Sequence, residues 1–311
     1  VMEASSHALA QGRCTGVPLA AAAFTNLTGD HLDYHKTLGN YLDAKTSLFA
    51  GLSEDAAAVL NADSPQSRSI ADKTRARVLW YGMEGRADLA AGVESMDTRG
   101  TVYGLHYHGA QVLVRSPLLG RHNVSNHLAA AGLCLAAGLD LDTIARGLAA
   151  MACVPGRLEK VPWDGPFSVL VDFAHTDDAL QNVLTTLRPL CQGRLIVVFG
   201  CGGDRDKTKR PRMARVVEAL SDQVVVTSDN PRTEDPHQII RDITAGLADP
   251  RARTVHVEPD RRAAIEWAVD QAGPGDIVLI AGKGHEAYQI VGRERHPFSD
   301  QAVAVECLQR G

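Results

Sequence analysis

The chain has 311 residues, 45% of them hydrophobic, and a formal net charge of -5 with acidic and basic side chains interspersed. That balance excludes the basic footprint that nucleic-acid binding requires. No stretch approaches eighteen consecutive strongly apolar residues, so a membrane partner is not expected either. The six cysteines form no CxxC pair and no zinc spacing, which suits the reducing cell interior better than a disulfide framework. The length is a prior for two domains, and small molecules are the expected partners.

The chain opens "VMEASSH", without an initiating Met or a polar lead-in, and reads as a piece of something longer. "PLAAAAFTNL" follows as a strand-like run. From Thr25 to Phe49 the sequence reads "TNLTGDHLDYHKTLGNYLDAKTSLF", where Leu38, Tyr41, Leu42, Leu48 and Phe49 recur at the steps of a buried helical stripe. Lys45 lies in that stripe, just downstream of Asp30, His31, Asp33 and His35. One reading is that its stem packs while the ammonium snorkels to water. The other is that burial lowers its pKa, so that a neutral amine adds carbon dioxide and becomes a carbamate, an oxygen ligand suited to magnesium. His31 is open to both a structural and a ligand role, and Glu3 is a candidate second metal carboxylate.

"AAAVLNADS" is a further strand candidate, and the alternation from Thr101 to Leu119 reads as a hairpin. A helical alanine-rich stretch then breaks at Pro155-Gly156, which places a domain boundary between residues 154 and 155. Beyond it, "FSVLVDFAH", "RLIVVFGCGG", "DQVVVTSDNP" and "GDIVLIAGKGHE" read as strands. They are separated by helix candidates at Asp178 to Leu187, Pro211 to Leu220, His237 to Leu247 and Arg261 to Ala272. Strand then helix, repeated, predicts an α/β fold with a parallel sheet. Ligands of such sheets sit beyond the carboxyl ends of strands, so the four strand endings are expected to converge on one crevice.

Each ending has its own chemistry. "FGCGGDRDKTKRP" combines glycines with Arg205, Lys207, Lys209 and Arg210, which suits an anion or a solvated turn. It is not a Walker A loop, and no GxxxxGK[ST] occurs in the chain. "SDNPR" turns the backbone at Asn230-Pro231 and projects Arg232, whose guanidinium can grip a carboxylate bidentately. "AGKGHE" contributes Lys283, His285 and Glu286.

In order along the chain, "EASSHAL", "TNLTGDHLDYH", "YLDAKTSLF", "VSNHLAAA", "PGRLE", "VDFAHTDDAL", "FGCGGDRDKTKRP", "SDNPRTEDP" and "AGKGHE" resemble the Mur ligase family over nearly the whole chain. The resemblance implies that residues 1–154 are the later portion of a parallel-sheet, P-loop-type central ATPase domain and residues 155–311 a Rossmann-like carboxy-terminal domain. It implies an ATP- and magnesium-dependent ligase that adds meso-2,6-diaminopimelate to UDP-N-acetylmuramoyl-L-alanyl-D-glutamate through an acyl phosphate. A monomer in the bacterial cytoplasm, working in peptidoglycan synthesis, is the expected setting.

Residue by residue, the resemblance assigns Lys45, as a carbamate, and His31 to one magnesium and Glu3 to another. Ser5, Gln11 and Arg13 match the UDP-muramoyl-dipeptide site, and Asn126, Arg157, Asp172 and His175 the ATP site. Arg205, Asp229, Asn230, Pro231, Arg232, Gly282 and Glu286 match the diaminopimelate site. Arg232 would pair with the second carboxylate of diaminopimelate and oppose the side chain of lysine. That argues against a lysine-adding or folylpolyglutamate-type relative; a module that only binds ligands is the other alternative.

Three departures from the family pattern stand out. The phosphate loop and the amino-terminal uridine-binding domain are expected upstream of Val1, so the piece alone is expected to be inactive and its first sheet poorly covered. Asp177 stands where proline is usual and is expected to loosen its turn. Gly29 stands where a basic residue is common.

Overall fold

The strand and helix runs fold as an α/β protein in the computed structural model, which describes residues 1–27 and 32–310. Val1–Met96 with Gly100–Met151 form one compact unit, and Asp97–Arg99 with Ala152–Gly311 form the other.

In the first unit the elements are α1 (Ser6–Ala10), β1 (Ala21–Phe24), α2 (Leu32–His35), α3 (Leu38–Ala50), β2 (Ala57–Asn61), α4 (Ser67–Ala71) and β3 (Arg77–Gly82). Then come β4 (Leu89–Asp97), β5 (Gly100–Tyr107), β6 (Ala110–Ser116), α5 (Arg121–Ala136) and α6 (Leu141–Ala150). The sheet order is β1-β2-β3-β4-β5-β6. β1, β2 and β3 run parallel, with Ala22 beside Ala58 and Val59 beside Leu79. The expected hairpin is β5 and β6, antiparallel from Thr101 opposite Ser116 to Tyr107 opposite Ala110.

The side chains of β2 alternate between two cores. Val59 packs with Leu79, Tyr81 and Leu128 of α5, whereas Ala58 and Leu60 pack with Phe24, Ile70 and Phe49 of α3. A parallel strand covered on both faces reads as an unbroken apolar run, which is why "AAAVL" shows no alternation. The stripe on α3 departs from expectation at one end. Tyr41 and Phe49 are buried, but Leu38 is 50% exposed. It sits at the first position of the helix, just after the Thr37 cap, before the turn that meets the sheet.

In the second unit the elements are β7 (Glu159–Lys160), β8 (Ser168–Asp172), α7 (Asp177–Leu187), β9 (Leu195–Phe199), α8 (Lys209–Leu220), β10 (Gln223–Val226) and α9 (Pro236–Thr244). They continue as β11 (Val255–Val257), α10 (Arg261–Gln271), β12 (Ile277–Ala281), β13 (Tyr288–Val291), β14 (Glu294–Pro297) and α11 (Asp300–Arg310). The sheet order is β11-β10-β9-β12-β8-β7, with only β7 antiparallel to its neighbour. Strand β12 inserts between β8 and β9, so the order of strand addition reverses there. Such a switch point opens a crevice at the carboxyl ends. Val171, Val198 and Ile280 from the sheet pack against Ile265 of α10 and Val303 of α11.

Asp177 does not loosen its turn. Thr176 caps α7 by accepting from the amide of Ala179, and Asp177 is the first helical residue, paired with the Arg212 guanidinium at 2.9 Å. That position favours proline for its fixed φ and a carboxylate for the helix dipole, so the exchange keeps the helix start.

One feature of this unit gave no sequence signal. Arg261 and Asp300, both wholly buried, form a two-pronged ion pair at 2.7 and 2.8 Å. The same guanidinium donates to the carbonyls of Ser228, after β10, and Ala281, at the end of β12, at 3.2 and 3.0 Å. The charge and four of the guanidinium's five N–H donors are thereby answered inside the protein, as burial demands. Asp300→Asn is expected to destabilise the second unit by about 3–5 kcal/mol. Arg261→Met with Asp300→Leu should recover most of that loss, as read by urea unfolding followed by circular dichroism.

Candidate functional site

Four loops leave the carboxyl ends of β8, β9, β10 and β12, and side chains tie them together. After β10, Asp229, Asn230 and Pro231 are buried and Arg232 is partly buried. Asn230 is nearly saturated. Its Oδ1 accepts from the Lys283 ammonium at 3.1 Å and the Ile290 amide at 2.9 Å, while its Nδ2 donates to Glu286 at 2.8 Å. Lys283, fully buried, also pairs with Glu286 at 3.1 Å. Burial works against ionising Glu286, yet the bonds from Asn230 and Lys283, with the charge of Arg232 beyond them, hold its carboxyl below the ordinary range.

Arg232 adopts a left-handed backbone, φ 52°, which is costly for a residue with a side chain. Backbone bonds hold it there: its amide donates to Ile290 at 3.0 Å and its carbonyl accepts from Gly292 at 2.7 Å. Its guanidinium donates to the Gly203 carbonyl at 2.8 Å. The partner strand β13 was missing from the sequence reading. Its four residues alternate only weakly, and its role is to brace another loop rather than to fill a core.

The glycine-rich stretch after β9 is not an open anion cradle. Gly203 donates to the Asn230 carbonyl at 2.9 Å, and a Cβ there would come within 1.9 Å of the Pro231 oxygen. The glycine is needed for loop-to-loop approach. The basic cluster is also largely committed. Arg210 is fully buried and pairs with Glu234 at 2.9 Å and Asp242 at 2.8 Å. Lys207 pairs with Glu234, and Lys209 donates to the His175 carbonyl. Arg205 is the exposed member with no carboxylate partner among the described residues. Gly282, φ 117° at the end of β12, lies where a Cβ would meet Asp229 at 2.7 Å.

Asp172, at the end of β8, accepts from the amides of Leu158 and Ala174, both at 2.7 Å. Burial pushes its carboxyl above the ordinary range, while those amides and the charges of Arg157 and His175 pull the other way. Arg157 lies over the Phe173 ring at 5.2 Å, and the ring of His175 meets the same phenyl edge-on at 4.7 Å. Asp172 thus draws the "PGRLE" loop against the β8 ending.

The first unit holds its own group of expected site residues. Ser5 caps α1 by accepting from the Ala8 amide, Gln11 follows the helix and reaches the Tyr34 hydroxyl at 3.5 Å, and Arg13 is exposed. Half-buried Lys45, on α3, lies over the Tyr41 ring at 5.1 Å. Burial lowers its pKa, and the charge of exposed Glu3 partly offsets that. Asn126 is exposed on α5, beside His127, which is buried and bonds the Tyr103 hydroxyl at 2.7 Å. His31 and Gly29 lie outside the described residues. Among the described residues no group of three or more His, Cys, Asp or Glu gathers as a metal site, and no helix is long and apolar enough to cross a membrane. The Glu3 carboxylate acts on Lys45 through its charge, and both are of the chemistry that suits a hard cation if that lysine carries carbamate oxygens.

Glu234 is the sharpest electrostatic feature near the crevice. Hydrogen bonds from Arg210, opposed by burial and reinforced by the Asp204 amide and Lys207, lower its carboxyl to about 2. A depressed folded-state value contributes stability that is complete above the ordinary glutamate range and is lost as pH falls toward 2. Glu234→Gln should therefore lower the melting temperature at pH 7, and the gap to the unsubstituted protein should close between pH 4.5 and 2 in thermal melts.

Comparison with known proteins gives a consistent family. Residues 1–134 match the Mur ligase middle domain and residues 156–284 the Mur ligase glutamate ligase domain. The chain is 48% identical over 309 residues to UDP-N-acetylmuramoyl-L-alanyl-D-glutamate--2,6-diaminopimelate ligase of Geobacillus kaustophilus (strain HTA426), covering 97% of this chain and 63% of that protein. It is 47% identical to the protein of the same name from Solibacter usitatus (strain Ellin6076), covering 99% of this chain and 63% of that one. A solved structure of a ligase with that name superimposes with a TM-score of 0.71 at 39% identity, over 99% of this chain and 64% of the other. The chain thus spans a little under two thirds of the length of these relatives.

Proposed function

The chain belongs to the Mur ligase family, and we propose that its parent protein joins meso-diaminopimelate to UDP-N-acetylmuramoyl-L-alanyl-D-glutamate at the expense of ATP. The observation that carries this reading is Arg232, fixed in a left-handed turn with its guanidinium beside Gly203 and Glu286 nearby across Asn230. A guanidinium after β10 and an ionised carboxylate after β12 suit an amino-acid side chain that ends in both a carboxylate and an ammonium. A lysine side chain would leave Arg232 unpaired and set two cations together, which disfavours the lysine-adding alternative.

In the proposed reaction the dipeptide carboxylate attacks the γ-phosphorus of ATP, releasing ADP and forming an acyl phosphate. The amine of diaminopimelate adds to that carbonyl, and the tetrahedral adduct expels phosphate as the nitrogen loses a proton. Magnesium, when bound, would neutralise charge on the transferring phosphoryl. Glu3, His31 and Lys45 are the residues proposed to hold it, Lys45 as the carbamate that its lowered pKa favours. Ser5, Gln11 and Arg13 are proposed to bind the UDP-muramoyl-dipeptide. Asn126, Arg157, Asp172 and His175 are proposed to bind ATP, with Phe173 as a surface for the Arg157 and His175 side chains. Arg205, Asp229, Asn230, Pro231, Arg232, Gly282 and Glu286 form the proposed amino-acid site. Residues 1–154 and 155–311 are proposed as the later part of the central domain and the carboxy-terminal domain, and the cytoplasm as the compartment.

In the full-length parent, Arg232→Ala should raise KM for diaminopimelate roughly thirtyfold or more and leave KM for ATP within about twofold. Equal changes in both constants in a phosphate-release assay would remove the specificity argument. Lys45→Ala should reduce turnover roughly a hundredfold or more, with partial rescue by short carboxylic acids that replace the carbamate. A fully active variant would exclude Lys45 from the metal site.

A further inference from the structure

Glu286 spends only one of its oxygens. Its Oε2 accepts from Asn230 Nδ2 at 2.8 Å and Lys283 Nζ at 3.1 Å, while its Oε1 has no partner among the described residues. Lys283 commits two of its three donors to the same Asn230 and Glu286 side chains. Its ammonium, with no exposure to water, donates to Asn230 Oδ1 at 3.1 Å and to Glu286, and lies 5.7 Å from the centre of the Tyr288 ring. A buried ammonium answered on each side cannot reach out to a ligand of its own. Its three partners belong to the loops after β10 and β12 and to β13.

We propose that Lys283 is a positioning residue of the amino-acid site, aligning Asn230 and Glu286 so that the free oxygen of an ionised Glu286 receives the distal ammonium of the incoming amino acid. This rests on the proposed function and adds to it a residue and a role that the motif assignment does not contain.

Charge accounting supports the role. The groups facing Glu286 are Lys283 from its own loop, Arg232 from the loop after β10 and Arg261 from α10. Arg261 is neutralised by Asp300 of α11 and also feels Asp229, and Arg295 of β14 lies over the far partner, Tyr288, at 4.5 Å. Arg232 is reserved for a carboxylate in the proposed reading. Against burial, the Asn230 hydrogen bond and Lys283, the one of these three cations in direct contact, together hold the Glu286 carboxyl below the ordinary range. Without that cation Glu286 protonates at higher pH, and a protonated carboxyl receives an ammonium poorly.

The test uses the full-length parent with Lys283→Met, Lys283→Gln and Glu286→Gln, each checked for folding by circular dichroism, and measures kcat and KM for all three substrates from pH 5.5 to 9. Both Lys283 variants should raise KM for diaminopimelate roughly tenfold with KM for ATP unchanged, and should bring into this pH range an acid limb of that KM which the unsubstituted protein, with its Glu286 carboxyl below the ordinary range, does not show there. Glu286→Gln should raise the same KM without an acid limb, and adding Lys283→Met to it should not create one. If Glu286→Gln raises KM but the folded Lys283 variants leave KM unchanged and show no acid limb, the positioning role is overturned while the amino-acid site stands. If Glu286→Gln leaves KM for diaminopimelate unchanged, the site assignment itself fails. Should Lys283→Met not fold, Lys283→Gln, which keeps a polar group in the buried place, decides the matter by the same two readouts.

Discussion

The second unit is organised around a guanidinium that never meets water. Arg261 reaches from the start of α10 to the carbonyls following β10 and ending β12, and Asp300 at the start of α11 cancels its charge. A buried cation tolerates little displacement, because each lost partner leaves a charge or carbonyl unsatisfied in a low dielectric. Two helices and two strand ends are thereby held in one register. The residues that follow those strand ends, Asp229 to Arg232 and Gly282 to Glu286, inherit that precision.

The loops themselves approach more closely than side chains would permit. Gly203 passes against Pro231, and Gly282 against Asp229, at distances where any Cβ would collide. The same closeness lets backbone amides and carbonyls of Ile290 and Gly292 hold Arg232 in a conformation that its own side chain disfavours. Strain at one residue is thus matched by hydrogen bonds from a strand sixty positions later in the chain. The outcome is a guanidinium and a carboxylate fixed near one another on rigid supports, the arrangement on which the proposed amino-acid site rests.

The first unit works by a different device, partial burial. Lys45 sits against an aromatic ring on a helix whose next turn fills the core, so its ammonium is half removed from water and its pKa falls. Glu3 opposes the fall by its charge. Burial and the neighbouring carboxylate thus act on the same amine in opposite directions.

The strands β8, β9, β10 and β12 and the helices α7 to α10 were legible in the sequence to within two residues at most ends, because apolar runs and amphipathic periods are local signals. The order of the motifs along the chain was equally local, and it sufficed for the family. What no local pattern carried was the pairing of distant residues. β12 lies between β8 and β9, Arg261 finds Asp300, Lys283 joins Asn230 to Glu286, and Arg210 is buried against Glu234 and Asp242 rather than offered to an anion. Charged residues look alike in sequence whether they end in water or in the core. Only the packed chain decides which are desolvated, and desolvation is what makes a partner obligatory.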